Sequence, residues 1–241
     1  MKLTIAYLYY DLLNLYGENG NIKILKKQLE DQNIKVQVKF LTVGDKLDID
    51  SYDFIYIGAG TENNQKIALN HLINYKNDIK DAIENNKFFL VTGNSIELFG
   101  EYILTKNGDK YDALNVFPFY TKETEFRMID ECVFKSNFIK DYIIGFQNQG
   151  SVIIENKNPM FEVINGIGSY PTSKTEGVLY NNFYGTYLIG PILVRNPEFL
   201  KYVIKKLVVS KNKNFKFNKW DLNLEKKAYK SFMKNNYKEI S

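Results

Sequence analysis

The chain has 241 residues, 44% of them hydrophobic and 25% charged, and a formal net charge of +4, a composition typical of a globular protein. One Cys and one His exclude a disulfide framework and leave too few ligands for a structural zinc site, so neither a metal nor another cofactor is expected. No apolar leader and no run of about 18 apolar residues is visible, and we expect a cytoplasmic protein without a membrane span.

The first hundred residues alternate between strand and helix patterns. Apolar or alternating runs predict strands at 3–9, 34–41, 53–60 and 87–92. Helical spacing predicts helices from about 22 to 33 and over 64–85, and a short helix in the segment 93–100. This alternation predicts an α/β fold with a mostly parallel sheet and helices on both faces. Ligands of such sheets bind at the carboxyl ends of the strands.

The pattern changes from Tyr102 to about Tyr187, where short strands and turns are predicted. They include the segments 126–134, 141–146, 151–155, 177–180 and 183–189. An amphipathic helix follows over 197–209, and a final helix is expected around 222–236. Without a linker long enough to separate two domains, we expect one domain over 1–209 and a basic helical extension over 210–241.

The extension carries nine Lys with aromatic residues between them, against Asp221, Glu225 and Glu239. Such a segment can contact a polyanion or an acidic partner. Lysine runs more often mark a solvated helix face, and the small net charge of the whole chain gives no further support. We therefore favour a solvated helix and do not expect nucleic-acid binding.

Glycines follow the strand at 53–60, in the segment Ile57-Gly58-Ala59-Gly60. Small residues after a strand let backbone N–H groups approach a ligand, as in an oxyanion hole or a phosphate cradle. The segment is not a GxGxxG fingerprint, because Asn63 stands where the third Gly belongs. A tight turn with no ligand is an equally good interpretation.

The next strand enters a helix through Thr92-Gly93-Asn94-Ser95, a sharp turn of the kind that presents a nucleophile. Gly93 occupies the position of the nucleophile in such a turn and has no side chain. Ser95, two residues further on, is interpreted as a capping or surface serine rather than a nucleophile.

Several long strings resemble the GatD family of class I glutamine amidotransferases, which is related to the CobB/CobQ amidotransferases. They are DLLNLYGENGN (11–21), DFIYIGAGTENNQ (53–65), GNSIELFG (93–100), FRMI (126–129), GFQNQG (145–150) and KTEGVLYNNFYGTYLIGPIL (174–193). The resemblance runs from about residue 3 to about residue 208. It implies a flavodoxin-like class I amidotransferase fold. It also implies a glutaminase with a Cys–His pair, and a Mur-ligase-like partner, MurT, that amidates the D-glutamate of lipid II.

The chain departs from the family pattern at both catalytic positions. Gly93 stands at the position of the family's Cys, and Ile189 at that of its His. In the pocket segment, Gln147 and Gln149 replace a Glu and a His. The other expected pocket and oxyanion residues are Gly58, Ala59, Gly60, Asn94, Arg127 and Asn148. Without the Cys–His pair, we expect negligible glutaminase activity.

Replacement nucleophiles are not favoured. A pair of Cys132 and His71 has nothing in the sequence to bring it together, and Cys132 reads as a small buried residue in a strand. Thr92 and Ser95 lack a base. We therefore expect an inactive GatD-like subunit with a MurT-like partner. The alternatives are a ligand-binding or regulatory module that has lost this partner, and an active glutaminase that uses an unrecognised site.

Overall fold

The computed structural model describes residues 1–240 and contains two six-stranded sheets. The strands are β1 (Lys2–Leu8), β2 (Lys35–Leu41), β3 (Phe54–Ile57), β4 (Phe88–Thr92), β5 (Tyr102–Leu104), β6 (Lys110–Asp112), β7 (Tyr120–Lys135), β8 (Ile143–Ile154), β9 (Phe161–Asn165), β10 (Thr175–Glu176), β11 (Val178–Tyr180) and β12 (Phe183–Thr186). The helices are α1 (Asn19–Asp31), α2 (Glu62–Leu72), α3 (Lys76–Glu84), α4 (Ile192–Arg195), α5 (Pro197–Lys211) and α6 (Asn223–Asn236).

The first sheet has the order β11-β12-β4-β3-β1-β2. All its neighbouring strands are parallel except β11, which forms an antiparallel hairpin with β12. The strands β3 and β4 are buried along their whole length because both of their faces are covered. Their carboxyl ends lie beside that of β12, so that Thr92 pairs with Thr186 and Val91 with Ile57.

Helices cover both faces of this sheet, and the alternation of side chains along each strand divides the core in two. On β3, Phe54 and Tyr56 pack in the same cluster as the buried residues of α1 and α5. Ile55 and Ile57 face the opposite way and pack with α2 and α3. The predicted α/β architecture, with a mostly parallel sheet and helices on both faces, is confirmed for this part of the chain.

The second sheet is mostly antiparallel, with the order β10-β9-β7-β5-β6 and β8 paired to β7. The prediction of short strands was wrong here, because 126–134 belongs to one strand of 16 residues and the segments 141–146 and 151–155 both belong to one of 12. Polar residues in GFQNQG interrupt the apolar pattern of β8 without ending the strand. The register shifts between Glu123 and Met128, where β7 contains a bulge.

The helix predicted over 64–85 is two helices. A single turn of 3-10 helix, Ile73–Tyr75, separates α2 from α3. Asn74 stands in this turn and its side chain donates to the carbonyls of Asn70 and His71, at 3.4 and 3.1 Å. Such local bonds compete with the regular helical pattern and are typical of a helix end.

The C-terminal segment folds back onto the domain. Phe215, Phe217 and Trp220 pack against the core cluster that contains α1 and α5, and Leu222 is buried there. Helix α6 buries Met233 against Val133 and Ile144. Within residues 1–240, no helix is both long and apolar enough to cross a membrane.

Candidate functional site

The candidate site lies at the carboxyl edge of the first sheet, where β4 ends. Strand β4 stops at Thr92, and the chain turns into a 3-10 helix, Gly93–Phe99, of which all but one residue are buried. Gly93 has φ of +61°, a backbone conformation that L residues with a side chain rarely adopt. A turn of this kind at the end of a buried strand is the geometry of a nucleophile elbow.

The space that a side chain at position 93 would need is already filled. A Cβ atom built on Gly93 would lie 2.5 Å from the Cβ of Ala59 and 3.0 Å from Cγ2 of Ile189. The first distance is too short for two carbon atoms, so a side chain here requires the loop that holds Ala59 to move. The elbow therefore keeps its backbone form without room for a nucleophile.

Ile189 closes the same space from the other side. Its backbone N–H donates to the carbonyl of Phe146 at 2.8 Å, which anchors it to β8. Its side chain is only 2% exposed. An apolar side chain in this position can neither accept a proton nor activate a water molecule.

The glycine loop faces the elbow, and its hydrogen-bonding groups have partners within the protein. The N–H of Gly60 donates to Oδ1 of Asn94 at 3.1 Å. Nε2 of Gln65 donates to the carbonyl of Asn94 at 2.6 Å, which holds that residue in place. The amide oxygen of Asn94 thus takes the N–H of Gly60, a donor of the kind that an oxyanion hole uses.

Ser95 is fully buried, and its hydroxyl donates to the carbonyl of Gly58 at 2.5 Å. The interpretation of Ser95 as a surface or capping serine was therefore wrong. The glycine loop packs so closely on the elbow that this hydroxyl fastens one segment to the other.

Arg127 and Asn148 meet at the outer rim of the site. Arg127 donates from Nε to Oδ1 of Asn148 at 2.7 Å and from Nη2 to the carbonyl of Asn148 at 2.9 Å. Its Nη1 forms an ion pair with Glu62 at the start of α2. Nδ2 of Asn148 donates to the hydroxyl of Tyr16 at 2.9 Å, so four segments meet around Arg127.

Gln147 is not part of that group. Neighbouring residues of a strand point to opposite faces, and Gln147 is buried on the other face of β8 from Asn148. Its Oε1 lies 3.3 Å from the thiol of Cys132. Cys132 is 1% exposed, and burial raises the pKa of its thiol to about 12. It is a buried, unreactive thiol, as the sequence indicates.

His71 stands apart from Cys132, in the last turn of α2. Its Nδ1 lies 3.0 Å from the hydroxyl of the buried Tyr9, and its ring packs against Tyr75. These contacts give His71 a structural role beside the end of β1.

The sequence interpretation missed a buried carboxylate below the elbow, that of Glu18. It accepts hydrogen bonds from the hydroxyls of Tyr56 and Thr92 and from the N–H of Gly190, the last at 3.4 Å. Thr92 precedes Gly93 and Gly190 follows Ile189, so Glu18 contacts the neighbours of both predicted catalytic positions. Burial raises its pKa to about 7, although these hydrogen bonds oppose the shift.

Two further buried carboxylates meet at Tyr187. Its hydroxyl lies 3.3 Å from Oε1 of Glu97, and its backbone N–H donates to Glu176 at 2.7 Å. Glu176 also accepts from the hydroxyl of Thr186 at 2.7 Å. Burial raises the pKa of both Glu97 and Glu176 to about 7. The signal for these residues was their place in the strings GNSIELFG and KTEG.

The described residues offer no other catalytic group at the elbow itself. Its surroundings are a glycine, an alanine, an isoleucine and an asparagine amide, with carboxylates only beneath it. Among residues 1–240, no group of three or more His, Cys, Asp or Glu is placed to hold a metal ion. The arrangement has the elbow turn of an acyl-transfer site, with Gly93 and Ile189 at the positions predicted for the nucleophile and the base.

A parallel sheet with helices on both faces and an elbow at the end of its β4 strand defines an α/β protein of the class I amidotransferase type. The family described as the CobB/CobQ-like glutamine amidotransferase domain matches residues 4–197. Over 205 residues the chain is 32% identical to the lipid II isoglutaminyl synthase (glutamine-hydrolyzing) subunit GatD of Staphylococcus aureus, which covers 85% of this chain and 84% of that protein.

A second relative is the subunit of the same name from Streptococcus pneumoniae, 33% identical over 198 residues, or 81% of this chain and 76% of that one. A glutamine amidotransferase from Thermotoga maritima has a similar fold, with a TM-score of 0.52 at 11% identity over 98% of this chain and 91% of that one. The chain belongs to the CobB/CobQ-like glutamine amidotransferases and is a GatD-like member of that family.

Proposed function

We propose that this chain is the GatD-like subunit of a complex that amidates a peptidoglycan precursor, and that it does not itself hydrolyse glutamine. The first part rests on the relatives, which are subunits of lipid II isoglutaminyl synthase and match most of the chain. The second part, that the chain does not hydrolyse glutamine, rests on the geometry of the elbow at Gly93.

The observation that carries the loss of activity is the filled space above Gly93. The absence of a nucleophile requires only one substitution, at position 93. In this chain the side chains of Ala59 and Ile189 also occupy the volume that a nucleophile would need. Asn94 also uses the N–H of Gly60, which is a donor suited to an oxyanion. The proposal is supported by the absence of a nucleophile at Gly93 and of a base at Ile189, and by the occupied N–H of Gly60, each of which disfavours amide hydrolysis.

The partner we propose is a MurT-like Mur-ligase subunit that binds ATP and the precursor. Without glutaminase activity, the nitrogen for amidation comes from free ammonia, and this chain stabilises or regulates the synthetase. The intact framework supports such a role, because the sheet, its two cores and the elbow turn are all retained.

The test is an amidation assay with the chain and the Mur-ligase-like proteins of its source organism, which are first screened for co-purification. We expect one of them to co-purify, and the complex to amidate lipid II with ammonium chloride but not with glutamine. If none co-purifies, the partner is wrong; if glutamine serves as well as ammonium, the loss of activity is wrong.

A second candidate function is a small-molecule sensor, favoured by the groove beside Arg127. This groove has a volume of about 370 Å³, and its lining includes Arg127, Lys66 and Lys106 together with Glu62, Glu123 and Glu125. Arg127 pairs with Glu62 and Lys66 with Glu123, so a zwitterion such as an amino acid would replace these ion pairs with its own charges. Saturable glutamine binding that is lost in Arg127→Ala, with no co-purifying ligase, would favour this function.

A further inference from the structure

A second groove lies at the opposite end of β4 from the elbow. It is formed by Phe88 at the start of β4, Asn182 just before β12, and the last turns of α5. Phe88 precedes Gly93 of the elbow by five positions, which is about 16 Å of extended chain. A ligand in this groove would therefore use none of the residues of the candidate site.

The floor of the groove is apolar and its rim is basic. Val209, which is 40% exposed, forms the accessible apolar surface, and Phe88 lies beneath it with only 3% of its surface exposed. Lys205, Lys206 and Lys213 stand around it. Long lysine stems extend an apolar wall while their ammonium groups remain at the rim.

The charge of this rim is not balanced. The four other grooves measured on the surface each include at least one carboxylate in their lining, whereas the part of the chain that lines this groove contains none. Lys205 also acts on Glu198 outside the groove, where its charge helps to lower the pKa of that carboxyl. Lysine side chains in a lining without a carboxylate attract an anion.

Other lysines of α5 form ion pairs, unlike those that line the groove. Lys201 is paired with Glu198, and Lys211 with Asp53. Glu198 is the one acidic residue of α5, and it is also paired with Lys226. Among the ion pairs of residues 1–240, none includes the three lysines of the groove. The ammonium group of Lys206 lies over the ring of Tyr202, 5.8 Å from its centroid.

We propose that this groove binds a single-chain amphiphile with one anionic head, a long-chain alkyl phosphate or fatty carboxylate. The alkyl chain would lie on Val209 and the lysine stems, and the head would reach the three ammonium groups. The groove is shallow, with a volume of about 620 Å³, so the amphiphile would lie along it rather than be enclosed. The proposal does not depend on the proposed function.

The experiment measures binding of decyl phosphate and decanoate, below their micelle concentrations, by titration calorimetry on the full chain. We expect saturable binding of one molecule per chain, weakened by salt. Inorganic phosphate and decyltrimethylammonium serve as probes that lack the chain and the negative head, respectively. Equal binding of either of them would overturn the proposal, as would binding only to vesicles that contain anionic phospholipid.

Two matched variants locate the site. Lys205→Gln/Lys206→Gln/Lys213→Gln should weaken decyl phosphate binding by roughly tenfold, since three exposed charge contacts are lost. Lys227→Gln/Lys230→Gln/Lys234→Gln removes the same charge from α6 and should leave binding unchanged. Val209→Ser removes part of the floor without changing charge and should weaken decyl phosphate binding as well. An equal loss in both triple variants would mean that only net charge matters, and the groove would be excluded.

Discussion

A single methyl group on Ala59 has a large effect at the elbow. It lies where the Cβ of any side chain at position 93 would have to be, so the sharp turn tolerates only glycine. The backbone conformation and the packing both favour glycine at position 93. Substitutions can separate the effect of backbone strain on stability from that of the collision with Ala59. Gly190 is a useful reference, because its φ is +75° but a Cβ atom there would meet nothing within 4 Å.

Gly93→Ala should reduce the free energy of unfolding by about 2–4 kcal/mol, through the strained backbone and the collision with Ala59. Gly190→Ala carries the backbone strain alone and should cost about 1–2 kcal/mol. In the double variant Ala59→Gly/Gly93→Ala, much of the difference should be recovered. Denaturant unfolding of the wild type, these three variants and Ala59→Gly alone checks this, and purely additive effects at 59 and 93 would contradict it.

The same geometry explains why restoring only the Cys and the His should fail. Gly93→Cys/Ile189→His puts a side chain into occupied space and leaves Asn94 on the N–H of Gly60. Addition of Ala59→Gly and Asn94→Gly removes both obstacles. We expect ammonia release from glutamine only from the fourfold variant. Equal activity of the twofold variant would show that the loop moves easily.

Three buried carboxylates, Glu18, Glu97 and Glu176, should make the protein less stable as the pH rises. Burial raises their pKa values from 4.5 to about 7, so the folded state holds protons that the unfolded state releases. Their contribution is fully present below about pH 4.5 and is lost as the pH rises to about 7 and beyond. Melting temperatures measured between pH 5 and 8 should therefore fall.

Glu97→Gln isolates one of these groups, since the amide keeps the shape and cannot ionise. The variant should melt a few degrees above wild type at pH 8 and show a smaller difference at pH 5. Its neighbours, Gln65 and Tyr187, can bond the amide as well as the acid. A variant that is less stable at pH 8 than wild type would contradict the raised pKa of Glu97.

At the scale of single elements, the parallel half of the fold was predictable and the antiparallel half was only partly so. Apolar runs such as 53–57 and 88–92 are buried on both faces and stand out in any sequence. Strands β7 and β8 are longer than their apolar segments because polar residues continue both strands. Most of those in β7 are not buried, whereas Gln147, Gln149 and Ser151 in β8 are. Pairing with a distant strand, which no local pattern reveals, defines their ends.

Some residues of the candidate site could likewise be predicted from the sequence, and others could not. Gly58, Ala59, Gly60, Gly93 and Asn94 could be found because they follow two parallel strands and match family strings. The position of Gln147 could not, since the choice of face depends on the register of β8. Glu18 was missed because a glutamate in a polar loop gives no sign that its carboxylate is buried.

Helix α6 was expected to be a solvated helix, and the prediction of a domain boundary at 209 remains a prediction. One face of the helix is in contact with β7 and β8 through Met233, whereas Leu224 is 76% exposed. Met233→Ala should cost about 2–3 kcal/mol, and Leu224→Ala less than about 0.5 kcal/mol. Equal effects in thermal or denaturant unfolding would mean that α6 does not pack on the domain in solution.

At the scale of the whole molecule, the candidate site at Gly93 and the basic groove lie at opposite ends of β4. The first is closed by Ala59, Ile189 and Asn94, while the second is open and carries unbalanced charge. The framework between them has two complete cores. This combination is what we expect of a subunit retained for binding rather than for chemistry.

Ammonia release from glutamine is the measurement that tests this account most directly. It should be followed for the wild-type chain, alone and mixed with any co-purifying Mur-ligase-like protein, with the fourfold variant as a positive reference. We predict that the wild type releases no ammonia above the buffer in either condition. Turnover by the wild type, abolished by Arg127→Ala, would contradict the central claim and show that an active glutaminase works without the family's Cys and His.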